Sequence, residues 1–473
     1  MSRHILHVAS EVVPFSKTGG LADVLGALPR AQAALGHSVT VVAPAHRSEL
    51  GGKPPGRPAG SVAALGLRAT VMASTHEGVE ILLLDCPSLY VRPALYSLPD
   101  GEFPDNAQRF AFLSSAALTL AQDRGADVLH AHDWQAALAP LLAHHQGVDF
   151  ATVLTVHNLG YQGVFAPWVL EACGLPKELF SLDGLEFYGR VNFLKGGLAS
   201  ADALTTVSPT YAEEILTPRF GCGLEGVLTS RKGALTGILN GLDVETWDPA
   251  HDPNLPQAFD ETTVIAGKAA ARHALAKEAS LADGERPIAG MVSRLAEQKG
   301  ADLVAAAIEP ALALGFDIVV LGTGEPRYEE LLRGAELAHP GRVRLFRRFD
   351  ERLAHLIYGG ADVFLMPSRY EPCGLGQMTA MRYGTLPVVN RTGGLADTVA
   401  DAGEPGGTGF VLAELTPQAL VETLRRARAV LADPERLAAL RRCAMGRDFS
   451  WDASARKYIE LYEQVLATRP SSH

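Results

Sequence analysis

Ser368 to Asp397 reads SRYEPCGLGQMTAMRYGTLPVVNRTGGLAD, a run whose residue types suit an anion site. An acid, Glu371, a turn-forming Pro372, Cys373 and the spaced glycines Gly374 and Gly376 follow the apolar run Val363 to Met366, and the apolar segment Met378 to Tyr383 comes next. A strand, a glycine turn and a helix in that order offer unpaired backbone N–H groups and a partial positive charge to an anion, and glycine lets a ligand approach the backbone. A second such turn, RTGGLADT at Arg391 to Thr398, follows an expected strand Thr385 to Asn390. Near the other end of the chain Lys17 to Val24 reads KTGGLADV, so the motif occurs twice and the two turns are expected to face one ligand. SRLAEQKG, Ser293 to Gly300, sets Arg294 and Lys299 just before a helix start. That arrangement suits a diphosphate, for which Arg supplies a forked pair of donors and Lys a point charge.

A second group of candidates stands at expected strand ends: His130, His132, Asp133, His157, Asn158 and Ser208. Ligands of open parallel sheets bind beyond the carboxyl ends of the strands. Each of these residues alone reads as a loop cap, whereas the group reads as a site. No Asp-x-Asp pair at a strand end and no His-Glu-x-x-His occurs, so no metal is expected, and a leaving diphosphate would be neutralised by Arg294, Lys299 and helix dipoles. The segments GTGEP, Gly322 to Pro326, and KTGG both lack the third glycine of a dinucleotide fingerprint, which argues against a nicotinamide or flavin enzyme. No G-x-S-x-G is present for serine catalysis.

The elements that must position these residues follow an α/β alternation with parallel sheets. Strands are expected at His4 to Ala9, Ser38 to Ala43, Val79 to Asp85, Val128 to Ala131, Thr152 to Val156 and Ala203 to Val207. Helices are expected at Leu21 to Leu35, Asn106 to Gln122 and Trp134 to His145. The Gly/Pro/basic stretch Pro44 to Ser61 reads as a flexible surface loop and a candidate lid. Turn formers in LNGLDVETWDPAHDPNLP place a boundary between Asn240 and Pro287, after which alternation resumes at Pro287 to Val292 and continues to helices Pro417 to Leu431 and Pro434 to Met445. The expected domains are 1–243, a linker 244–286, a second domain 287–448, and an amphipathic C-terminal segment 449–473 packing back on the first.

With 473 residues, 47% of them hydrophobic, the chain can bury more than one core. Its net charge of -11 opposes broad binding to nucleic acid or anionic membrane. The apolar runs are too short to span a bilayer, and the N-terminus carries no signal-peptide pattern, so a cytoplasmic location is expected. Five widely spaced cysteines read as thiols.

With KTGGLADV, HAHDWQAAL, TVHNLGYQGVF, SPTYAEEI, LNGLD, SRLAEQKG, SRYEPCGLGQ and RTGGLADT in one order, the chain resembles the bacterial glycogen synthases, a family that includes the plastid starch synthases. The resemblance runs from Ile5 to about Tyr462. It implies a GT-B fold of two Rossmann-like domains with parallel sheets and an interdomain active-site cleft. The implied reaction transfers glucose from ADP-glucose to the non-reducing end of an α-1,4-glucan such as glycogen, with retention, release of ADP, and neither metal nor cofactor.

By the same resemblance Lys17, Gly19 and Gly20 lie against the donor's diphosphate and glucose, and Arg294 and Lys299 hold the phosphates. Glu371 contacts the transferred glucose, while Cys373, Gly374 and Leu375 present backbone N–H groups to its hydroxyls. His157 sits beside the anomeric carbon, Asn158 and Asn240 orient the sugar, Asp133 and Trp134 lie on the sugar and acceptor side, and Phe349 stands near the adenine. Gly376 replaces the threonine usual in EPCGLTQ, which leaves the choice between ADP- and UDP-glucose open. Val91 to Pro104 departs from the family's usual loop and leaves Tyr96 without a matched motif.

Overall fold

The structure, a computed structural model, describes residues 2–98 and 101–469. It divides into two compact units, Met1–Gly241 with Trp451–His473, and Leu242–Ser450.

Among the described residues the first unit carries a nine-stranded sheet. Its strands are β1 (His4–Val8), β2 (Ser38–Pro44), β3 (Arg57–Ala64), β4 (Leu67–His76), β5 (Val79–Asp85), β6 (Val128–His132), β7 (Ala151–Val156), β8 (Ala203–Thr206) and β9 (Leu235–Gly237). Their spatial order is β9-β8-β7-β6-β1-β2-β5-β4-β3. Strands β6 and β7 are buried along their whole length, as parallel strands covered on both faces must be, and the polar side chains within them, such as His130, Thr152 and Thr155, are hydrogen-bonded. One face packs on the helix Gly20–Ala34 and on the C-terminal helix Trp451–Thr468, whose Trp451, Tyr458, Leu461 and Tyr462 join the same core as Leu25, Leu28 and Val41. The segment expected as one helix from Trp134 is two, Asp133–Ala136 and Leu138–Gln146.

The expected loop Pro44 to Ser61 is corrected in its second half. Arg57–Ala64 is the edge strand β3, paired antiparallel with β4, itself antiparallel to β5. Pro58 is tolerated there because an edge strand has one unpaired side, and the register shifts between Pro58 and Ser61. Gly56, at φ +92°, brings its α-carbon so close to β4 that a Cβ would lie 2.2 Å from the Ala73 carbonyl oxygen. These glycines and the proline make a strand entry and an irregularity, not a lid.

The second unit holds a six-stranded parallel sheet among the described residues. Its strands are β10 (Ile288–Val292), β11 (Asp317–Leu321), β12 (Val343–Phe346), β13 (Val363–Met366), β14 (Leu386–Val389) and β15 (Phe410–Val411), in the order β12-β11-β10-β13-β14-β15. Residues 244–286, expected as a linker, are part of this unit. The helix Val264–Glu278 packs on the helix Glu351–Gly360, and Leu255, Phe259, Val264, Ala271 and Leu275 enter its core with Phe346, Ile357 and Tyr383. The turn-rich sequence concealed this because its apolar residues are spaced around Asp and Pro turns. Asp252 shows what those turns do: buried, it accepts hydrogen bonds from Tyr383 Oη and the His355 ring.

Candidate active site

In the first unit, β1, β6 and β7 deliver their candidates to one edge. Asp133 follows β6 directly, at φ +57°, a left-handed conformation that few non-glycine residues adopt and that clusters at functional sites. Its Oδ1 accepts the His157 backbone N–H at 2.7 Å, tying the end of β6 to the end of β7. Burial pushes the Asp133 carboxyl up to about 7, against the pull of the His157 and Asn158 N–H groups and with a further rise from the charge of Glu11.

Glu11, which sequence reasoning passed over, holds the KTGG turn. Its carboxylate accepts the Thr18 N–H at 2.5 Å, the Thr18 hydroxyl at 3.1 Å and the Tyr96 phenol at 2.9 Å. Burial raises its proton affinity. The signal was a lone acid immediately after the first strand, in a loop that the glycine motif overshadowed. Tyr96 thereby reaches the site through Glu11; Pro99 and Asp100 of the Val91–Pro104 segment lie outside the described residues. A Cβ on Gly19 or Gly20 would meet nothing within 4 Å, and both residues are exposed, so this turn is open to a ligand. Lys17 is exposed and paired with Asp23 at 2.7 Å, a solvent-screened contact worth little by itself.

Behind this edge runs a buried imidazole cluster. His7 Nδ1 lies 3.0 Å from His132 Nε2, and His132 Nδ1 lies 3.0 Å from His157 Nε2. His7 Nε2 is 2.7 Å from Gln32 Oε1. His130 lies between Tyr462 Oη at 2.7 Å and Thr155 Oγ1 at 2.6 Å. Burial lowers His7 to about 4 and His157 to about 3, and drives His130 and His132 well below the ordinary range, so the rings are neutral near pH 7. Nitrogens of His7, His130 and His132 lie within 4.8 Å of one another, close enough to ligate a metal, yet both nitrogens of all three rings are engaged in hydrogen bonds. The donor set is that of a hydrogen-bonded core and does not fit a metal.

Two further candidates of this unit, Trp134 and Asn240, are buried. Trp134 is 6% exposed, edge-on to Phe110 with ring centroids 5.0 Å apart, and a Cβ on Gly163 would sit 2.2 Å from its ring. Its ring also packs against Phe165, at a centroid distance of 5.8 Å, and is buried. Asn240 is buried, and its Oδ1 has no hydrogen-bond partner among the described residues.

In the second unit the two basic and acidic motifs, distant in sequence, meet at the carboxyl ends of β10 and β13. Lys299 Nζ lies 2.6 Å from Glu371 Oε2, which also accepts the Ser368 hydroxyl at 3.0 Å. The two loops are joined by Arg369, whose backbone N–H donates to the Gln298 carbonyl at 2.8 Å and whose guanidinium forks onto Asp302 at 2.8 and 2.7 Å. Gly300, at φ +72°, is required here, since a Cβ would lie 2.3 Å from the Pro367 carbonyl. Arg294 is exposed, with Gln298 Oε1 at 3.0 Å. Cys373 is buried, Gly374 and Leu375 are half-buried, and Gly374 adopts φ +70°. Phe349 is 89% exposed, an unusual state for a ring of that size.

The RTGG turn differs from the expected ligand-facing glycine turn. A Cβ on Gly393 would lie 2.0 Å from the Glu371 carbonyl oxygen, and one on Gly394 would lie 1.9 Å from that of Cys373. The Gly394 N–H donates to the Glu371 carbonyl at 3.1 Å. These glycines admit the EPCG backbone, so the protein itself fills the space that a ligand fills at an open turn.

Residues 4–230 match the starch synthase catalytic domain family and residues 274–444 the glycosyl transferases group 1 family. A glycogen synthase from Anaeromyxobacter dehalogenans (strain 2CP-C) is 50% identical over 477 residues, covering 98% of this chain and 99% of that protein. The chain belongs to the glycogen synthase family. Glycogen synthase 1 from Methylococcus capsulatus is 45% identical, over 98% of this chain and 97% of that protein. The solved catalytic domain of starch synthase IV from Arabidopsis thaliana, bound to ADP and acarbose, superposes with a TM-score of 0.89 at 34% identity, covering 99% of this chain and 100% of that one. The fold of this glycogen synthase family member is accordingly GT-B.

Proposed function

We propose that this enzyme elongates glycogen in the cytoplasm by moving glucose from ADP-glucose to the 4-hydroxyl at the non-reducing end of an α-1,4-glucan, with retention. The single observation that carries the site reading is the Lys299–Glu371 pair, 2.6 Å apart at the carboxyl edge of the second sheet, in a chain 50% identical to a glycogen synthase along its whole length.

In this reading Arg294 and Lys299 neutralise the diphosphate as the bond from C1 to its oxygen breaks. Glu371 accepts hydrogen bonds from the sugar hydroxyls through Oε1, because Oε2 already receives Lys299 and Ser368. Cys373, Gly374 and Leu375 supply backbone donors. Phe349, with its exposed face, stacks on the adenine. From the first unit, Lys17 and the open Gly19 and Gly20 take the diphosphate and glucose, and Glu11 holds that turn in position.

His157 lies beside the anomeric carbon, Asn158 and Asn240 orient the sugar, and Asp133, held by the His157 backbone N–H, acts on the acceptor side with Trp134. The acceptor oxygen bonds to C1 on the face the diphosphate leaves, and its proton passes to the departing phosphate oxygen. No protein nucleophile and no metal enter this scheme.

Purified protein incubated with glycogen and, in parallel, ADP-glucose or UDP-glucose tests the reading. ADP release with lengthening of the glucan is expected. A folded sample that releases no ADP overturns the activity, and faster turnover of UDP-glucose overturns the donor assignment.

A further inference from the structure

The buried side chains behind His157 form a continuous hydrogen-bond chain whose direction is set at its far end. Gln32 donates through Nε2 to Tyr462 Oη at 3.1 Å, so its Oε1, 2.7 Å from His7 Nε2, must accept a proton from that nitrogen. A neutral imidazole has one donor and one acceptor nitrogen. With its proton on Nε2, His7 accepts at Nδ1 from His132 Nε2–H, and His132 in turn accepts at Nδ1 from His157 Nε2–H, each at 3.0 Å. The branch through Tyr462 runs in the same sense. Its hydroxyl, accepting from Gln32, donates to His130 Nδ1 at 2.7 Å, and His130 Nε2–H donates to Thr155 Oγ1 at 2.6 Å, which donates to Thr205 Oγ1 at 2.5 Å. Each ring nitrogen of His7, His130 and His132 then has a partner of the complementary kind.

We propose that Gln32, acting through His7 and His132, fixes His157 as its Nε2–H tautomer and leaves Nδ1 unprotonated, which makes Gln32, His7 and His132 positioning residues for glucosyl transfer. Among the described residues His157 Nδ1 has no hydrogen-bond partner, so of the ring nitrogens of His7, His130, His132 and His157 it is the one left for substrate. The inference rests on the reading of His157 beside the anomeric carbon. There a bare nitrogen accepts a sugar hydroxyl and turns its lone pair toward positive charge developing at C1, whereas an N–H at that position would oppose the charge. Burial of the whole chain keeps the rings neutral, without which the relay of tautomers would be lost.

The test is a two-bond 15N–1H correlation spectrum of the ligand-free enzyme labelled with 15N-histidine, the His157 signals being assigned by their loss in His157→Asn. The expected spectrum has His157 protonated at Nε2 and bare at Nδ1. Gln32→Leu, which removes the terminal acceptor, is expected to abolish the single tautomer and to lower kcat on the order of tenfold to a hundredfold, the range seen when an outer partner that orients a histidine is lost. KM for ADP-glucose should change less than kcat, since the groups that hold the diphosphate are untouched. Gln32→Glu, which keeps an acceptor opposite His7, should retain the tautomer and most of kcat. A wild-type His157 protonated at Nδ1, or a Gln32→Leu enzyme with an unchanged tautomer, overturns the proposal. The tautomer spectrum needs no turnover, so absence of ADP release would strike the activity reading alone.

Discussion

Lys299 Nζ and Glu371 Oε2 lie 2.6 Å apart, although 72 residues separate them in sequence. The carboxylate is 8% and the lysine 21% exposed, so the pair is only partly screened by solvent. In the proposed reaction each member is also used by the donor, the lysine by phosphate and the carboxylate by sugar. Glu371→Gln is therefore expected to lower kcat by roughly a hundredfold to a thousandfold, as loss of a preorganised electrostatic contact does, while the folded state survives. Steady-state kinetics beside a thermal melt check this. A melt that collapses with the activity would make the pair structural.

The two TGG turns carry opposite expectations. Gly394→Ala forces a Cβ to within 1.9 Å of the Cys373 carbonyl, and the backbone there cannot swing aside as a flexible side chain does. A loss of about 1–3 kcal/mol or more in urea unfolding is expected. Gly19→Ala meets open space and an extended backbone of φ -157°, so its unfolding midpoint should match wild type while KM for ADP-glucose rises. Equal stabilities for the two variants would refute the contrast.

Stability should fall on the acid side of neutrality. His7 and His46 are lowered to about 4 and His157 to about 3, in each case mainly by burial. An unfolded imidazole takes up a proton near pH 6.5. Between that pH and about 4 the unfolded chain thus binds more protons than the native one, and stability rises with pH across the window and falls as pH is lowered through it. Urea midpoints measured at about pH 5 and about pH 7.5 should differ in that direction. Equal midpoints would mean that these rings titrate normally.

Asp133 gives the opposite sign. Its carboxyl, raised to about 7 by burial, contributes stability while protonated that is lost as pH rises from its unfolded value, near 4, through 7. If the carboxylate serves the acceptor, kcat/KM climbs with pH to a plateau above about 7. Asp133→Asn, which tolerates the left-handed backbone, should remove most activity, flatten the pH profile and be at least as stable as wild type above that pH. A profile unchanged in shape would exclude Asp133 as the titrating group.

The parallel strands were legible because burial on both faces demands short runs rich in apolar and β-branched residues, as in Val79–Asp85 and Ala151–Val156. The candidate residues at their ends were legible for the same reason, since a polar residue closing such a run must lie at a sheet edge. Local sequence likewise carried the glycine turns, the basic pair and the family motifs. Strand β3 was not legible, because Gly56, Pro58 and Gly60 are loop formers unless a neighbouring strand accepts the chain. Nor was the role of residues 244–286, whose apolar side chains declare themselves only against the helix Glu351–Gly360.

What the amino-acid order determined was therefore the kind of local piece at each place and the chemistry each piece carries. Tertiary structure alone decided that Gly19 is open while Gly394 is filled by Cys373, that Trp134 is packed against Phe110, and that Glu11 reaches Thr18. It also decided that Gln32, remote in sequence from His157, connects to it through two intervening rings. The physical reason is that identical short motifs have identical backbone preferences, whereas the atoms filling the space around them come from elsewhere in the chain.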